Sequence, residues 1–204
     1  MLKNFQKNNG LLPDGKFGPI TARKIVGLFS IPNPAEFFGQ VCHESLDLTL
    51  FEENLYYTVA RLQEIFPKYF KTYASAKSHE RNPQKLGNYV YANRMGNVNP
   101  NDGYYFRGRG ALQLTGRSNY KAFENWLVVK GLCKENEIML NPDLVSQKFY
   151  IESAVFFFDT NNLWNIKDVT RLRKKVNGGT NGLQDCINRT EKYKKWFSEE
   201  KNEK

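Results

Sequence analysis

Two glutamates, Glu44 and Glu53, have the residue type and the spacing that acid–base hydrolysis requires. Cleavage of a glycosidic bond needs a carboxylic acid to protonate the leaving oxygen, and inverting enzymes add a carboxylate about 6.5–9.5 Å away to activate water. Glu44 follows the apolar residues Val41 and Cys42, a setting that could raise the pKa of its carboxyl. A loop-like stretch separates the two acids, so the chain can turn and present both side chains to one cleft. The pair alone is weak evidence, because glutamates are common.

Other hydrolytic chemistries lack their residues in this chain. A lone His43 beside an apolar helix face is more typical of a structural hydrogen bond than of a base. His43 and His79 are the two histidines, and no cysteine stands in a nucleophile motif, so a Ser-His-Asp or Cys-His centre is difficult to assemble. The sequence also has no P-loop and no HExxH motif. We therefore expect neither a metal nor a cofactor.

The elements that must position the glutamates are mainly helical. The apolar spacing of Phe37, Phe38, Val41 and Cys42 predicts a helix that ends near Glu44. Thr21 is a candidate cap for an earlier helix. Loops are predicted for residues 82–105, which are rich in Asn, Gly, Pro and Tyr. Further helices are predicted at 120–129, at 144–158, at 168–176 and at the C-terminal end.

Composition describes a globular chain with a basic surface. Of its 204 residues, 40% are hydrophobic and 25% are charged, and the formal net charge is +9. One main domain is the expectation at this length. The longest apolar run, residues 154–158, is much shorter than the roughly 20 residues of a membrane-spanning helix. Positive charge favours nucleic acid, anionic membrane or bacterial cell wall as partners, although no nucleic-acid-binding motif is found.

Three motifs resemble glycoside hydrolase family 19, and in particular its bacteriophage endolysin branch. They are residues 40–45 around His43-Glu44, residues 53–57 after Glu53, and residues 106–120 with the Arg-Gly-Arg-Gly sequence. Shorter matches occur at 91–97, 141–145 and 176–182. The resemblance implies a mainly α, lysozyme-like, two-lobed helical fold with a catalytic cleft and at most a small β element.

The resemblance also implies roles for individual residues. Glu44 would be the general acid, Glu53 the base that activates water with inversion, and Thr115 a residue that helps to hold this water. Glu52 competes with Glu53, but the family pattern places the acid directly before Asn-Leu. The glycines near Arg107 allow backbone to approach a sugar closely. The predicted substrate-binding residues are His43, Tyr56, Arg107, Gln113, Asn119 and Asn177.

The first thirty-three residues have a different sequence pattern from the rest of the chain. Their Asp-Gly-x-Phe-Gly-Pro-x-Thr sequence, residues 14–21, resembles part of a helical peptidoglycan-binding module. We interpret residues 1–33 as a truncated form of this module and residues 34–204 as the catalytic domain.

The expected function is that of a monomeric endolysin that hydrolyses β-1,4 bonds in peptidoglycan glycan strands and lyses the host cell. A secretory signal is not recognised at Met1, so we expect synthesis in the host cytoplasm and action on the wall after release through a phage-made pore. Stable membrane insertion is not expected. The alternatives are a chitinase acting on chitin oligomers, a non-catalytic wall-binding protein and, least favoured, a nucleic-acid binder.

Overall fold

A computed structural model describes residues 1–198 of the chain. The helices in this range are α1 (Leu2–Asn8), α2 (Pro19–Phe29), α3 (Pro34–Glu44), α4 (Val59–Ile65), α5 (Tyr73–Lys77), α6 (Pro83–Val90), α7 (Asp102–Tyr105), α8 (Arg117–Val129), α9 (Glu137–Leu140), α10 (Leu144–Gln147), α11 (Tyr150–Thr160), α12 (Val169–Asn177) and α13 (Leu183–Ser198).

The β structure of the described residues consists of isolated bridges. Arg109 pairs with both Glu52 and Leu114 in antiparallel bridges. The prediction of a mainly α fold with at most a small β element is therefore confirmed. Within residues 1–198, no helix is long and apolar enough to cross a bilayer.

Contacts divide the chain into two compact units. Among the described residues, unit 1 contains Met1–Phe51, Gly110–Leu112 and 147–198, and unit 2 contains Glu52–Arg109 and Gln113–Ser146. Each unit has its own core.

Unit 1 is organised around helix α3, which packs against α13. The helix begins at Pro34, which occupies its first turn, where the missing N–H costs nothing. Its residues from Phe37 to Cys42 are buried, and Phe37 contacts Phe158 and Trp164 edge to face or at a tilt. This packing fixes the direction of α3, and Glu44 is its last residue, as predicted.

The close approach of α3 to α13 depends on a glycine. A β-carbon added to Gly39 would lie 2.1 Å from the Thr190 hydroxyl oxygen and 3.3 Å from the Cys186 carbonyl oxygen. Thr190 is fully buried and donates its hydroxyl hydrogen to Cys186 O at 2.8 Å. The two helices therefore have no room for a larger residue at position 39.

Unit 2 is built on a separate cluster of buried side chains. Its members come from α4, α5 and α6 and from the chain around them: Leu55, Val59, Leu62, Phe70, Ala76, Leu86 and Val90. Tyr91 and Tyr104 pack against this cluster. The cluster therefore supports the end of α6, where Tyr91 follows.

The N-terminal segment belongs to unit 1. Gln6 is 2% exposed, and its side-chain nitrogen donates to Asp14 Oδ1 at 2.8 Å and to Thr21 Oγ1 at 3.2 Å. Phe17 packs against Phe38, with ring centroids 5.0 Å apart. The division of the chain at residue 33 stays a prediction.

Two local predictions were wrong. Thr21 is not a helix cap, because α2 already begins at Pro19 after an extended Gly18, and the Thr21 hydroxyl instead accepts the hydrogen bond from Gln6. The region 82–105 is not all loop, since it contains α6 and α7. Asn82 starts α6 by accepting a hydrogen bond from Lys85 N at 3.0 Å, which is a strong N-terminal cap.

We predict that Gly39→Ala destabilises the protein by about 1–3 kcal/mol, because overpacking at the α3–α13 contact must push the helices apart. Gly27→Ala is the matched control, since Gly27 lies in α2 with nothing within 4 Å of an added β-carbon. This control should stabilise the protein by about 0.5–1 kcal/mol through helix propensity. Urea unfolding of both variants measures the effect, and equal stability of the two would refute the packing argument.

Candidate active site

In unit 2, the Glu53 carboxylate is held by hydrogen bonds at both oxygens. The Gly108 N–H donates to Oε1 at 2.6 Å, and the Tyr91 hydroxyl donates to Oε2 at 2.7 Å. The Glu53 N–H also donates to Gly108 O at 3.0 Å. Backbone and side chain of Glu53 are thus fixed by the same glycine, and the orientation of the carboxylate is set before any substrate binds.

Tyr91 acts as a hydrogen-bond donor to Glu53 because it holds its proton firmly. Burial raises the pKa of the Tyr91 phenol above its ordinary value, and the negative charge and hydrogen bond of Glu53 raise it further. Tyr91 follows the last residue of α6, and Asn97 Nδ2 donates to its carbonyl oxygen at 3.0 Å. The side chain of Asn97 therefore ties the loop to the residue that contacts the carboxylate.

Two further predicted residues meet Glu53 around Gly108. A β-carbon added to Gly108 would lie 2.6 Å from Gln113 Oε1, 3.3 Å from Thr115 Oγ1 and 3.4 Å from Glu53 Cδ. The Thr115 hydroxyl donates to Gln113 O at 2.8 Å. The structure thus brings a carboxylate, an amide and a hydroxyl to one point, where only a glycine leaves room for them.

Asn119 is close to the same residues but uses its amide within the protein. Asn119 Nδ2 donates to Thr115 O at 2.7 Å. It supports the backbone of Thr115, and its side-chain oxygen has no described partner.

Arg107 and Glu52 form part of an ion-pair network beside this site. Arg107 is 11% exposed and donates through Nε to Glu52 Oε1 at 2.7 Å. Its Nη2 also lies 3.5 Å from Asp143 Oδ1, which accepts from Arg109 Nη2 at 2.5 Å. This arrangement separates the competing acids: Glu52 neutralises an arginine, whereas Glu53 accepts neutral donors beside Thr115.

In unit 1, the Glu44 carboxyl meets a buried arginine. Arg173 of α12 is 2% exposed, and its Nη1 donates to Glu44 Oε1 at 2.5 Å. Arg173 Nε donates to Asn181 O at 2.6 Å. The prediction of an apolar setting for this carboxyl is therefore incomplete, because its partner is the buried guanidinium of Arg173.

His43 has a structural partner of its own. Its Nδ1 lies 2.7 Å from Asp185 Oδ2, which also accepts from Arg189 Nε at 2.6 Å. Burial alone would raise the pKa of Asp185, but the hydrogen bonds from His43 and Arg189 hold this pKa below its usual range. Gly182 has a φ of +73°, and an added β-carbon would lie 2.2 Å from His43 Nε2. The backbone of Gly182 therefore covers one edge of the imidazole.

The remaining predicted residues, Asn177 and Tyr56, are held by fewer or longer contacts than those above. Asn177 is the last residue of α12, and its Nδ2 lies 3.4 Å from Asn181 O, the carbonyl that also accepts from Arg173. Tyr56 is 57% exposed, and no described contact fixes its ring. His43, Glu44 and Asn177 are thus gathered around one loop of unit 1, and Gln113 and Thr115 around Glu53 in unit 2.

Sequence reasoning missed three partners, Tyr91, Arg173 and Asp185. Of these, Tyr91 lies at the start of the matched segment 91–97, but the match gave it no role. The hydrogen bond from Tyr91 to Glu53 spans 38 positions of the sequence, and that from Arg173 to Glu44 spans 129 positions. No local pattern signals contacts of that range.

No family model matches the chain. Its family is shown by two similar proteins. The chain is 36% identical to a glycosyl hydrolase family 19 domain-containing protein of Haemophilus influenzae over 153 residues, which are 74% of this chain and 73% of that protein. It is 30% identical to an acidic endochitinase of Petunia hybrida over 151 residues, 72% of this chain but 40% of the endochitinase.

These matches define the protein as a glycoside hydrolase with a helical, lysozyme-like fold. The chain belongs to glycoside hydrolase family 19.

We predict that Tyr91→Phe lowers kcat about 10- to 100-fold with little change in KM. A hydrogen bond to a charged group contributes about 1.5–3 kcal/mol, and its loss leaves the Glu53 carboxylate less firmly oriented. Tyr57→Phe is the control, because burial and the charge of Glu53 raise the pKa of Tyr57 although no described hydrogen bond joins the two. Steady-state kinetics on a soluble glycan oligomer separates the variants, and an unchanged kcat for Tyr91→Phe would contradict the role.

Proposed function

We propose that this protein hydrolyses the β-1,4 glycosidic bonds of bacterial peptidoglycan by an inverting acid–base mechanism, as an endolysin does. The observation that carries the proposal is the held carboxylate of Glu53, which receives hydrogen bonds at both oxygens and lies beside Thr115. A general base must be oriented before it can activate water.

In the proposed reaction, Glu53 removes a proton from a water molecule that attacks the anomeric carbon, and the Thr115 hydroxyl helps to hold that water. Glu44 donates its proton to the leaving glycosidic oxygen. Arg173 then stabilises the negative charge that Glu44 acquires. The two carboxyls exchange protons with solvent to complete the cycle, and no step requires a metal or a cofactor.

The proposed substrate contacts follow the polar residues around each carboxyl. In unit 2, Gln113 offers an amide next to Glu53, Asn119 retains a side-chain oxygen, and Tyr56 offers an exposed ring. In unit 1, Asn177 lies beside Asn181 and His43 lies beside Gly182, in the loop whose Asn181 carbonyl accepts from Arg173, the partner of Glu44. Amides can bind both the hydroxyl and the acetamido groups of N-acetylated sugars.

Arg107 has a different proposed contribution. Its guanidinium lies 4.3 Å from the centre of the Tyr104 ring and pairs with Glu52. It holds residue 52 to residue 107, and therefore keeps Glu53 against Gly108. Any contact that Arg107 makes with substrate would come in addition to this ion pair.

Peptidoglycan is favoured over chitin by charge and by the path between the glutamates. A net charge of +9 attracts an anionic wall more strongly than a neutral polymer. The path from Glu44 to Glu53 is also short, whereas chitinases of the family carry a longer segment after the His-Glu pair. Chitinase activity is the second candidate, and the similarity to the Petunia endochitinase supports it.

The biological setting forms part of the same proposal. The protein would act as a monomer on the cell wall, reached through a phage-made pore, and its action would lyse the host. Residues 1–33 would be a truncated peptidoglycan-binding-like segment packed on the catalytic domain, as the contact of Phe17 with Phe38 suggests. A wall-binding protein without catalysis is the competing role.

The test is mass spectrometry of soluble fragments released from purified Gram-negative sacculi. The wild type should release muropeptides that end in a reducing, hydrated sugar. Glu44→Gln and Glu53→Gln should each lower the rate at least about 100-fold, since general acid–base catalysis contributes about 10²- to 10⁴-fold. Glu52→Gln is the matched comparison and should lower the rate much less than Glu53→Gln, because it weakens only the ion pair with Arg107 that supports Glu53.

The possible outcomes separate the candidate functions. Equal release by wild type and Glu44→Gln would remove Glu44 from the mechanism, and a larger loss with Glu52→Gln than with Glu53→Gln would exchange the two acids. Faster cleavage of chitin oligomers than of sacculi would favour a chitinase. Binding to sacculi without any fragments would leave only a wall-binding role.

A further inference from the structure

A buried asparagine in unit 2 joins two segments of the chain through its side-chain amide. Asn97 is 2% exposed and lies in the loop between α6 and α7. Its Nδ2 donates to Tyr91 O at 3.0 Å, and its Oδ1 accepts from the N–H of Arg117, the first residue of α8, at 2.9 Å. The amide therefore spans the gap between the end of α6 and the start of α8.

Tyr91 stands at one end of this bridge and holds the Glu53 carboxylate. Its hydroxyl donates to Glu53 Oε2 at 2.7 Å, so the position of its backbone affects the position of the carboxylate. At the other end, Arg117 follows Gly116, whose N–H donates to Phe106 O at 2.8 Å. The start of α8 is thus tied to unit 2 independently of Asn97, and it can serve as the anchor of the bridge.

The loop that carries Asn97 packs directly on the first turn of α8. The Ser118 N–H donates to Met95 O at 3.0 Å. A β-carbon added to Gly96 would overlap the Ser118 hydroxyl, and one added to Gly116 would overlap the Met95 side chain. Since only glycine fits on each side of this contact, the separation between the loop and the helix is fixed.

An ion pair holds the same loop at a second point. Arg117 donates to Asp102 through Nε at 2.8 Å and through Nη2 at 2.7 Å. Asp102 also accepts from the N–H groups of Val98 and Asn99, both at 3.0 Å. Hydrogen bonding to Arg117 keeps the pKa of Asp102 below its usual range, so the pair is ionised at neutral pH. The loop therefore stays attached to α8 when one hydrogen bond of Asn97 is removed.

The two hydrogen bonds of Asn97 require an amide. Tyr91 offers a carbonyl and Arg117 offers an N–H, so the bridging side chain must donate at one atom and accept at the other. A carboxylate of the same shape only accepts, and an aliphatic side chain does neither. Packing alone would not require this chemistry.

We propose that Asn97 is a positioning residue for Glu53, and that it acts by fixing the backbone of Tyr91 relative to α8. The inference rests on the proposed function, in which the Glu53 carboxylate activates water. A displacement of about 1 Å at a reacting group can lower a rate by about 10²-fold. The geometry that Asn97 maintains therefore affects kcat more than KM.

The first test removes one of the two hydrogen bonds. Asn97→Asp keeps the acceptor for the Arg117 N–H, but the introduced carboxyl cannot donate to Tyr91 O once it is ionised. On a soluble oligomer of β-1,4-linked N-acetylated sugars, kcat should fall about tenfold with little change in KM, and the loss should grow as the pH rises. Asn101→Asp is the matched control, because Asn101 is exposed and its side-chain oxygen keeps the hydrogen bond from Asn88 Nδ2.

A double-mutant cycle separates positioning from a general loss of stability. In the Tyr91→Phe background, Asn97→Asp should lower kcat less than about twofold, because the link from Tyr91 to Glu53 is already lost. An equal loss in both backgrounds, or an unchanged kcat when Asn97→Asp is introduced alone, would overturn the proposal.

Hydrogen exchange at the Gly108 N–H, which donates to Glu53 Oε1, gives a readout that needs no activity. Asn97→Asp should speed this exchange several-fold, whereas exchange at the Leu62 N–H, which donates to Thr58 O, should keep the wild-type rate. Unchanged exchange at Gly108 would also overturn the proposal. Faster exchange at Gly108 in a protein that cuts no glycan would support the positioning role and refute the proposed function instead.

Discussion

The reciprocal hydrogen bonds between Glu53 and Gly108 are the constraint on which the unit 2 site depends. A carboxylate serves as a base only in a fixed orientation, and here the Gly108 N–H contacts one oxygen while the Glu53 N–H contacts the Gly108 carbonyl. The pair can form because residue 108 has no side chain, which leaves room for Gln113 and Thr115. Arg107 and Glu52 reinforce the pairing from the neighbouring positions.

In unit 1, the orientation of the Glu44 carboxyl is fixed in another way. The carboxyl stands at the end of α3, so its position depends on how firmly the helix is packed. Gly39 lets α3 approach α13 closely, and buried Arg173 fixes the carboxyl directly. Helix packing thus sets the position of this acid, whereas backbone hydrogen bonds set that of Glu53.

Local sequence patterns predicted much of the fold. The helix α3 and its end at Glu44 follow from apolar spacing, and the structure confirms them. The cap at Thr21 was wrong because Pro19 provides an earlier start and because Gln6, fifteen residues away, uses the threonine hydroxyl. Helices within 82–105 were missed because α6 and α7 have only eight and four residues and contain Asn, Gly and Tyr, which are typical of loops. The helical spacing of Leu86 and Val90 was the signal for α6.

The candidate site was predictable only in part. Motifs pointed to Glu53, Gln113 and Thr115, and the structure brings these residues together, although their roles stay predictions. Tyr91 and Arg173 could not be assigned, because their contacts with the glutamates form only after distant segments have folded together. The sequence therefore indicates the reacting groups more readily than the groups that orient them.

The stereochemistry of the product tests whether the two carboxyls, Glu44 and Glu53, act by inversion. Proton nuclear magnetic resonance can follow a soluble oligomer of β-1,4-linked N-acetylated sugars during its first minutes of hydrolysis by the wild type. Inversion predicts that the new reducing end appears first as the α-anomer and then equilibrates. Initial appearance of the β-anomer would show retention, and would contradict the assignment of Glu53 as a base that activates water.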